Sequence, residues 1–415
     1  MGDLLLKWTD KLLKRPQDFQ NPAILSHVDI LSALNDIQET AKLRKKNTSE
    51  EVLLKIKKEI LKISSAQETF IYGSSNSAIE QFLISFIKAY PESTIAVSFF
   101  SLPYIANFVL QKNCQIFPLE INPLTLEPNY STTKNIAHNK KVCIIIDNLC
   151  GLKDSLAFAK PDNCFVIYDA SESFLDNNAK LEELTQTSQV FSIFSLGLNY
   201  LDGGGICCYA NLDDLPKEFR FLTDDVQNIN FTSISFKYLS YSLSERLASK
   251  SKQEFSQTQA TSWQMLTALA RLRKLDQQKL VFLDNLKTWH ELLTGNQVVQ
   301  PFLQRKLELQ KTFCPIGYPI ILPNREMANK VQAIFSKLKI NIEKLSDRTP
   351  ISKKNYDLLA SQNIIGREYE QSYLIAQKTI ILPIDTNTSR HEIYKAYREL
   401  SKEFSLPKRE ELSVV

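Results

Sequence analysis

The spacing of apolar positions changes twice along the chain and divides it into three regions. Over residues 1–66 the spacing is helical: "NTSEEVLLKIKKEILKIS" opens on a capping box, Thr48 with Glu51, and continues with a stripe of Val52, Ile56 and Ile60. The opening "MGDLLLKWTDKLLKRP" reads as a short amphipathic helix. From 67 to 245 the apolar runs are short and often continuous: "STIAVSFF", "NCQIFPLEI", "KVCIIID", "CFVIYDA", "QVFSIFS" and "GGICCYA". Continuous apolar runs suit strands covered on both faces, and their alternation with helical segments predicts an α/β domain whose mainly parallel sheet is wrapped in helices. Beyond 246 the long amphipathic "ATSWQMLTALARLRKLDQQKLVFLDNLKTWHELL" precedes strands "YPIILP" and "KTIILPI" and helices "REMANKVQAIFSKLK" and "TSRHEIYKAYRELSKEF". This spacing predicts a smaller C-terminal α/β domain over 246–415. The expected organisation is therefore an N-terminal helical region, 1–66, a large domain, 67–245, and the long helix with the small domain. No internal repeat or low-complexity stretch interrupts it.

Composition narrows the function classes. At 415 residues the chain exceeds what one core usually supports, which agrees with two domains. Lys and Arg total 50 against 46 Asp and Glu, and the one dense basic cluster, "KLRKK" at 42–46, reads as a solvated helix end. Nucleic acid is not an expected partner. No apolar stretch approaches the roughly 20 residues that span a bilayer, and the N-terminus lacks the apolar core and cleavage site of a signal peptide. Neither membrane nor export is expected. The seven cysteines form no CxxC pair and sit mostly inside apolar runs, as reduced buried thiols of a cytoplasmic protein would. No Cys/His spacing suggests a metal.

Candidate chemistry lies where apolar strands end in polar residues, because ligands of parallel sheets sit at the carboxyl ends of strands. "CFVIYDASES" ends a strand on Asp169, followed by Ser171 and Glu172; such a carboxylate either caps its own turn or meets a ligand. "IYGSSNSAIEQFLISFIKAY" begins with a Ser/Asn turn and continues as an apolar-periodic helix. The free N–H groups and positive dipole end of that helix, with the hydroxyls of Ser75 and Ser77, form a potential phosphate cradle; by itself the turn is an ordinary N-cap. "FSIFSLGLNYLDGGGICC" supplies Ser192 and a glycine triplet whose lack of Cβ permits close approach.

The order of these features resembles the nucleotide-sugar aminotransferases of the DegT/StrS type, pyridoxal-phosphate enzymes of the aspartate-aminotransferase fold. The likeness runs from about residue 67 to the C-terminus and takes in "INPLTLEPN" and "TIILPIDTNTSRHEIYKAYREL"; residues 1–66 match poorly. It implies a pyridoxal-phosphate-type fold and pyridoxal 5'-phosphate or pyridoxamine 5'-phosphate as cofactor. Ser75, Asn76 and Ser77 fall on the phosphate-binding turn, and Ser192 on the serine beside the phosphate. Asp169 falls on the partner of the pyridine nitrogen, and Glu172 on the position beside the cofactor. The ring-stacking aromatic falls on Leu102, with Phe100 and Tyr104 nearby. The resemblance also implies a nucleotide-linked sugar as substrate, polysaccharide-type biosynthesis, and a site built at a dimer interface, hence a homodimer or a heterodimer with an active paralogue.

One position departs from the family. The lysine that anchors the cofactor and moves the substrate proton falls on Gly197, and no lysine occurs between Lys180 and Lys217. Histidine, which replaces that lysine in a dehydrating branch, is also missing there: the four histidines are His27, His138, His290 and His391. The sequence therefore leads to a transaminase-deficient protein of this family that binds the cofactor non-covalently if at all. Two alternatives remain open, an active sugar-modifying aminotransferase or dehydratase with an atypical site, and a non-enzymatic interaction or regulatory role.

Overall fold

A computed structural model describes residues 49–98, 105, 114–121, 128–129, 141–147, 164–171, 190–195, 204–209, 212–227, 260–261, 265, 268–269, 272, 275–294, 300–301, 317–348, 359–361, 367–384 and 388–404. Helix α1, Ser49–Ser64, buries the expected stripe: Val52, Ile56 and Ile60 are all but inaccessible. Thr48, the other half of its expected capping box, lies outside the described residues.

Strand β1, Glu68–Tyr72, leads into helix α2, Ser75–Ala89. There follow β2 (Thr94–Ser98), β3 (Gln115–Leu119), β4 (Val142–Asp147), β5 (Cys164–Ala170), β6 (Val190–Ser195) and β7 (Gly204–Cys208). They form one seven-stranded sheet in the order β1-β7-β6-β5-β4-β2-β3. The pairings from β3 through β6 are parallel, whereas β7 runs antiparallel to both β6 and β1. The six strands expected from apolar runs are present. The seventh, β1, was missed because "ETFIY" is short and opens on a charge.

One face of the sheet is sealed by rings. Phe82 of α2 meets Phe191 of β6 edge to face at 4.6 Å between centroids, and Phe86 meets Phe165 of β5 at 5.2 Å. Phe219, from the 3-10 turn Lys217–Phe221, stacks on Phe165. Aromatic pairs of this kind add about 0.5–1.5 kcal/mol each to the area they bury. They fix α2 across the sheet at one height, and so fix where its N-terminus emerges. The edge of β1 is also occupied: Asp224 accepts from the Ile71 N–H at 2.9 Å, and the Asp225 N–H donates to the Ile71 carbonyl. Lys57 of α1 pairs with the same Asp224 at 2.8 Å. An edge strand so paired offers few free backbone groups to other chains.

Further along, the two-residue strands β8 (Val226–Gln227) and β9 (Ala260–Thr261) pair in parallel. Ala260 and Thr261 had been expected to begin the long helix; α3 spans Leu275–Leu293. A second sheet holds β10 (Gln300–Pro301), β11 (Gly317–Ile321), β12 (Glu343–Lys344) and β13 (Thr379–Pro383), ordered β10-β11-β13-β12 and antiparallel throughout. Helices α4 (Arg325–Leu338), α5 (Leu345–Arg348), α6 (Arg367–Lys378) and α7 (Arg390–Phe404) accompany it. Their ends follow local rules. Asn324 caps α4 by accepting from the Met327 N–H at 2.9 Å, Lys339 closes it with φ 61°, and Ser389 with Glu392 forms a capping box at α7. Helix α3 is tied to this sheet by Asn285, which donates to the carbonyls of Ile384 and Thr388, and by the Trp289 indole, which donates to the Pro383 carbonyl at 3.0 Å.

Candidate functional site at the carboxyl edge of the large sheet

Because β1, β2, β4, β5 and β6 run in one direction, their C-termini share an edge of the sheet, and the reversed β7 begins there. That edge collects the start of α2, Asp147, Asp169, Ser195 and Gly204. Of the residues singled out from sequence, the structure thus brings Ser75, Asn76, Ser77 and Asp169 to one edge.

At the start of α2, Ser74 is extended (φ −159°, ψ 163°) and serves as N-cap. Its Oγ accepts from the Ser77 N–H at 3.0 Å and shares a hydrogen bond with the Ser77 hydroxyl at 2.9 Å. Ser77 is thereby committed to the turn. Ser75 differs: it is 2% exposed, and among the described residues its hydroxyl has no hydrogen-bond partner. A buried hydroxyl without a partner costs about 1–3 kcal/mol, a cost that a ligand accepting its proton would remove. The first turn of α2 carries no acidic residue, so nothing there repels an anion.

The glycines explain how β7 reaches this turn. A Cβ on Gly204 would stand 2.4 Å from the Ser75 nitrogen and 2.7 Å from its Cα, and one on Gly205 would stand 2.4 Å from both the Phe194 ring and the Phe70 carbonyl. Both glycines are therefore strand residues demanded by close packing, and Gly204 allows β7 to lie directly against the first residue of α2.

Asp169 lies at the C-terminal end of β5 and is half-buried. Its Oδ1 accepts from the Ser171 N–H at 3.0 Å, so the carboxylate caps its own turn, one of the two roles anticipated for it. It occupies the same sheet face as Phe165, which α2 covers, because alternate residues of a strand share a face.

Ser192 is placed apart from these residues. Its neighbour Phe191 faces α2, so Ser192 faces the other way, where it is 3% exposed and hydrogen-bonded to the Tyr209 hydroxyl at 3.2 Å. Burial pushes the Tyr209 phenol up, and it pushes the neighbouring Cys207 thiol up to about 11. The five described cysteines, Cys114, Cys143, Cys164, Cys207 and Cys208, are all buried free thiols. Glu172, Leu102, Phe100, Tyr104 and Gly197 lie outside the described residues.

Sequence reasoning passed over Ser74, which shapes the turn, and Asp147, which ends the apolar run "CIIID" just as Asp169 ends "CFVIYD". The same signal, a carboxylate closing an apolar strand, would have found it. Among the described residues no three His, Cys, Asp or Glu side chains gather as metal ligands, and no helix is long and apolar enough to cross a membrane.

No family model matches the sequence, and no curated protein matches it. Solved structures do. Spr1654 of Streptococcus pneumoniae, assigned as a candidate sugar aminotransferase, aligns in its PMP-form with TM-score 0.62 at 14% identity, covering 89% of this chain and 96% of that one. Helicobacter pylori PseC, an aminotransferase involved in the biosynthesis of pseudoaminic acid, gives 0.61 at 15%, covering 89% and 96%. A DegT DnrJ EryC1 StrS aminotransferase from Brucella abortus gives 0.60 at 13%, covering 92% and 99%. At these identities the likeness is one of fold. The chain has the α/β fold of the pyridoxal-phosphate-type sugar aminotransferases, with its large, mostly parallel sheet and helices.

Proposed function

We propose that this chain binds pyridoxal or pyridoxamine 5'-phosphate non-covalently at the carboxyl edge of its large sheet, as a sugar-aminotransferase-like protein deficient in transamination. The observation that carries the reading is the pairing, on one edge, of an anion-suited helix start with a carboxylate two strands away. Helix α2 opens against β7 at Gly204, and Asp169 stands on β5, two strand positions further along. Two inter-strand spacings amount to about 10 Å, room for a phosphate at one end and an aromatic ring reaching the other. The buried Ser75 hydroxyl, which has no partner among the described residues, can donate to a phosphate oxygen, and Asn76 adds a half-buried amide on the same turn. The ring, when bound, supplies an electron sink for carbanions. This chain's residues would hold it: the start of α2 its phosphate, and Asp169 its protonated nitrogen.

Gly197, aligned with the family's anchoring lysine, motivates the deficiency. Without an amine there, neither a covalent anchor nor a general base is supplied from that position, and loss of a positioned base alone costs about 10²–10⁴-fold in rate. Solved neighbours occur in both PLP-form and PMP-form, which makes the two ligands the appropriate probes. By the same analogy the substrate partner is a nucleotide-linked sugar, and the assembly a homodimer or a heterodimer with an active paralogue. Reduced, buried thiols agree with a cytoplasmic setting.

The test is a fluorescence titration of the purified chain with each cofactor form. Saturable binding that inorganic phosphate weakens in competition is expected. No saturable binding of either form would overturn the reading.

A further inference from the structure

Strand β6 ends on Ser195, whose direct partner in the antiparallel ladder with β7 is Gly204. Two observations put Ser195 on the face that α2 covers. Phe191 meets Phe82 of α2, and alternate residues of β6 carry that face on through Ile193 to Ser195. Independently, a Cβ on Gly204 would stand 2.4 Å from the Ser75 nitrogen, so Gly204 faces the start of α2, and residues directly opposite each other in a ladder share a face. Such opposite residues hold their Cβ positions about 4.5–5.5 Å apart. The Phe194 carbonyl, which joins onto Ser195, stands 2.8 Å from the same missing Cβ. The end of β6 and the first residue of α2 therefore meet across the side chain that Gly204 lacks. Ser195 is half-buried, and a serine hydroxyl can donate and accept at once.

Ser192 is placed differently. It lies three residues back along β6, roughly 10 Å from the strand's end, and its ladder partner is Cys207. Its hydroxyl is bonded to that of Tyr209 on the opposite face. Beside it the Cys207 thiol donates to the Thr69 hydroxyl, which donates to the Ile206 carbonyl at 3.1 Å. Ser192 thus belongs to a buried polar row that is satisfied within the fold.

We propose that Ser195, and not Ser192, supplies the hydroxyl of β6 that donates to the cofactor's phosphate at the start of α2. The inference rests on the cofactor reading above and assigns one further residue to that site. An independent sign of a ligand at this helix start is the Ser75 hydroxyl, 2% exposed and without a partner among the described residues. The anion then meets the N–H groups that open α2, the Ser75 hydroxyl and, from the neighbouring strand end, Ser195. Gly204 is what lets the two serines serve one anion, because a side chain there would push the Ser75 nitrogen away from β6.

The experiment titrates the purified chain with pyridoxamine phosphate by fluorescence and then displaces it with inorganic phosphate. Wild type is compared with Ser195→Ala, Ser195→Thr and Ser192→Ala, with folding checked by circular dichroism. Ser195→Ala should weaken both ligands by the same factor, about tenfold, the lower end for a hydrogen bond to a charged acceptor because Ser195 is only half-buried. Ser195→Thr, which keeps the hydroxyl, and Ser192→Ala should bind both as wild type does. A cysteine variant, with its weak S–H donor, replaces an alanine variant that does not fold. A loss on Ser192→Ala with none on Ser195→Ala would overturn the inference. So would a Ser195→Ala loss for pyridoxamine phosphate that leaves the affinity for inorganic phosphate unchanged, because the hydroxyl would then act away from the phosphate. Failure of the wild-type chain to bind pyridoxamine phosphate would instead remove the cofactor reading, and this inference with it.

Discussion

Replacing Ser75 by alanine should separate binding from stability, because the hydroxyl is buried yet serves nothing within the described fold. Ser75 is 2% exposed and its hydroxyl has no described partner, while the turn itself is held by Ser74 and Ser77. Removing a buried, unsatisfied hydroxyl and leaving a methyl removes its desolvation cost, so unfolding free energy should stay the same or rise by up to about 1–2 kcal/mol. The ligand should register the opposite change. A hydrogen bond to a charged phosphate oxygen is worth about 1.5–3 kcal/mol, which corresponds to a loss of roughly 10- to 150-fold in affinity for pyridoxamine phosphate. Ser77→Ala is the control. It deletes a hydroxyl committed to the N-cap, so it should lower stability by about 0.5–1.5 kcal/mol. Denaturant unfolding gives the stabilities, and fluorescence titration gives the affinities. If Ser75→Ala loses stability as Ser77→Ala does and binds pyridoxamine phosphate as wild type does, the hydroxyl is structural and the phosphate assignment at this turn is wrong.

Gly204→Ala places a methyl 2.4 Å from the Ser75 nitrogen, against backbone that has no rotamer to yield, and should cost about 1–3 kcal/mol together with most of the cofactor affinity. Gly205→Ala, whose Cβ meets Phe194 and the Phe70 carbonyl instead, should cost similar stability in denaturant unfolding with a smaller loss of affinity. Trp289→Phe should destabilise the C-terminal unit, because the ring is fully buried and its indole donates to the Pro383 carbonyl, which the variant leaves without that donor; hydrogen exchange at β13 reads the effect. Burial lowers the pKa of His290, which is hydrogen-bonded to Tyr318 at 3.0 Å. The unfolded chain therefore binds this proton more readily than the folded one, and stability should fall as pH drops below about 6.5; His290→Gln should flatten that slope in unfolding curves taken between pH 7.5 and 5.5.

How much was legible beforehand depended on what each signal encoded. Continuous apolar runs revealed six of the seven strands, since a strand covered on both faces has no polar alternation to confuse it. β1 escaped because its five residues begin with Glu68 and Thr69, and the reversal of β7 escaped because strand direction is set by connections that apolar spacing does not encode. Asp169, Ser75 and Ser77 were readable as residues placed after apolar strands. Ser192 was readable as a serine in the right stretch, but its face follows from the parity of one strand against Phe191 and Phe82, a tertiary fact. The run "GGICCYA" already took Gly204 and Gly205 into a strand, but what their missing side chains admit, Ser75 and Phe194, depends on tertiary packing. Asp147, which ends β4 opposite Asp169, was visible by the same signal.

The central claim, a cofactor held without a covalent bond, is tested most directly by adding pyridoxal phosphate to the purified chain, reducing with borohydride, and weighing the denatured protein and its peptides. Saturable binding is expected before denaturation and unmodified mass afterwards, with Gly197→Lys the variant that gains one reduced cofactor on residue 197. A cofactor adduct on a lysine of the wild-type chain, at stoichiometric yield, would contradict it.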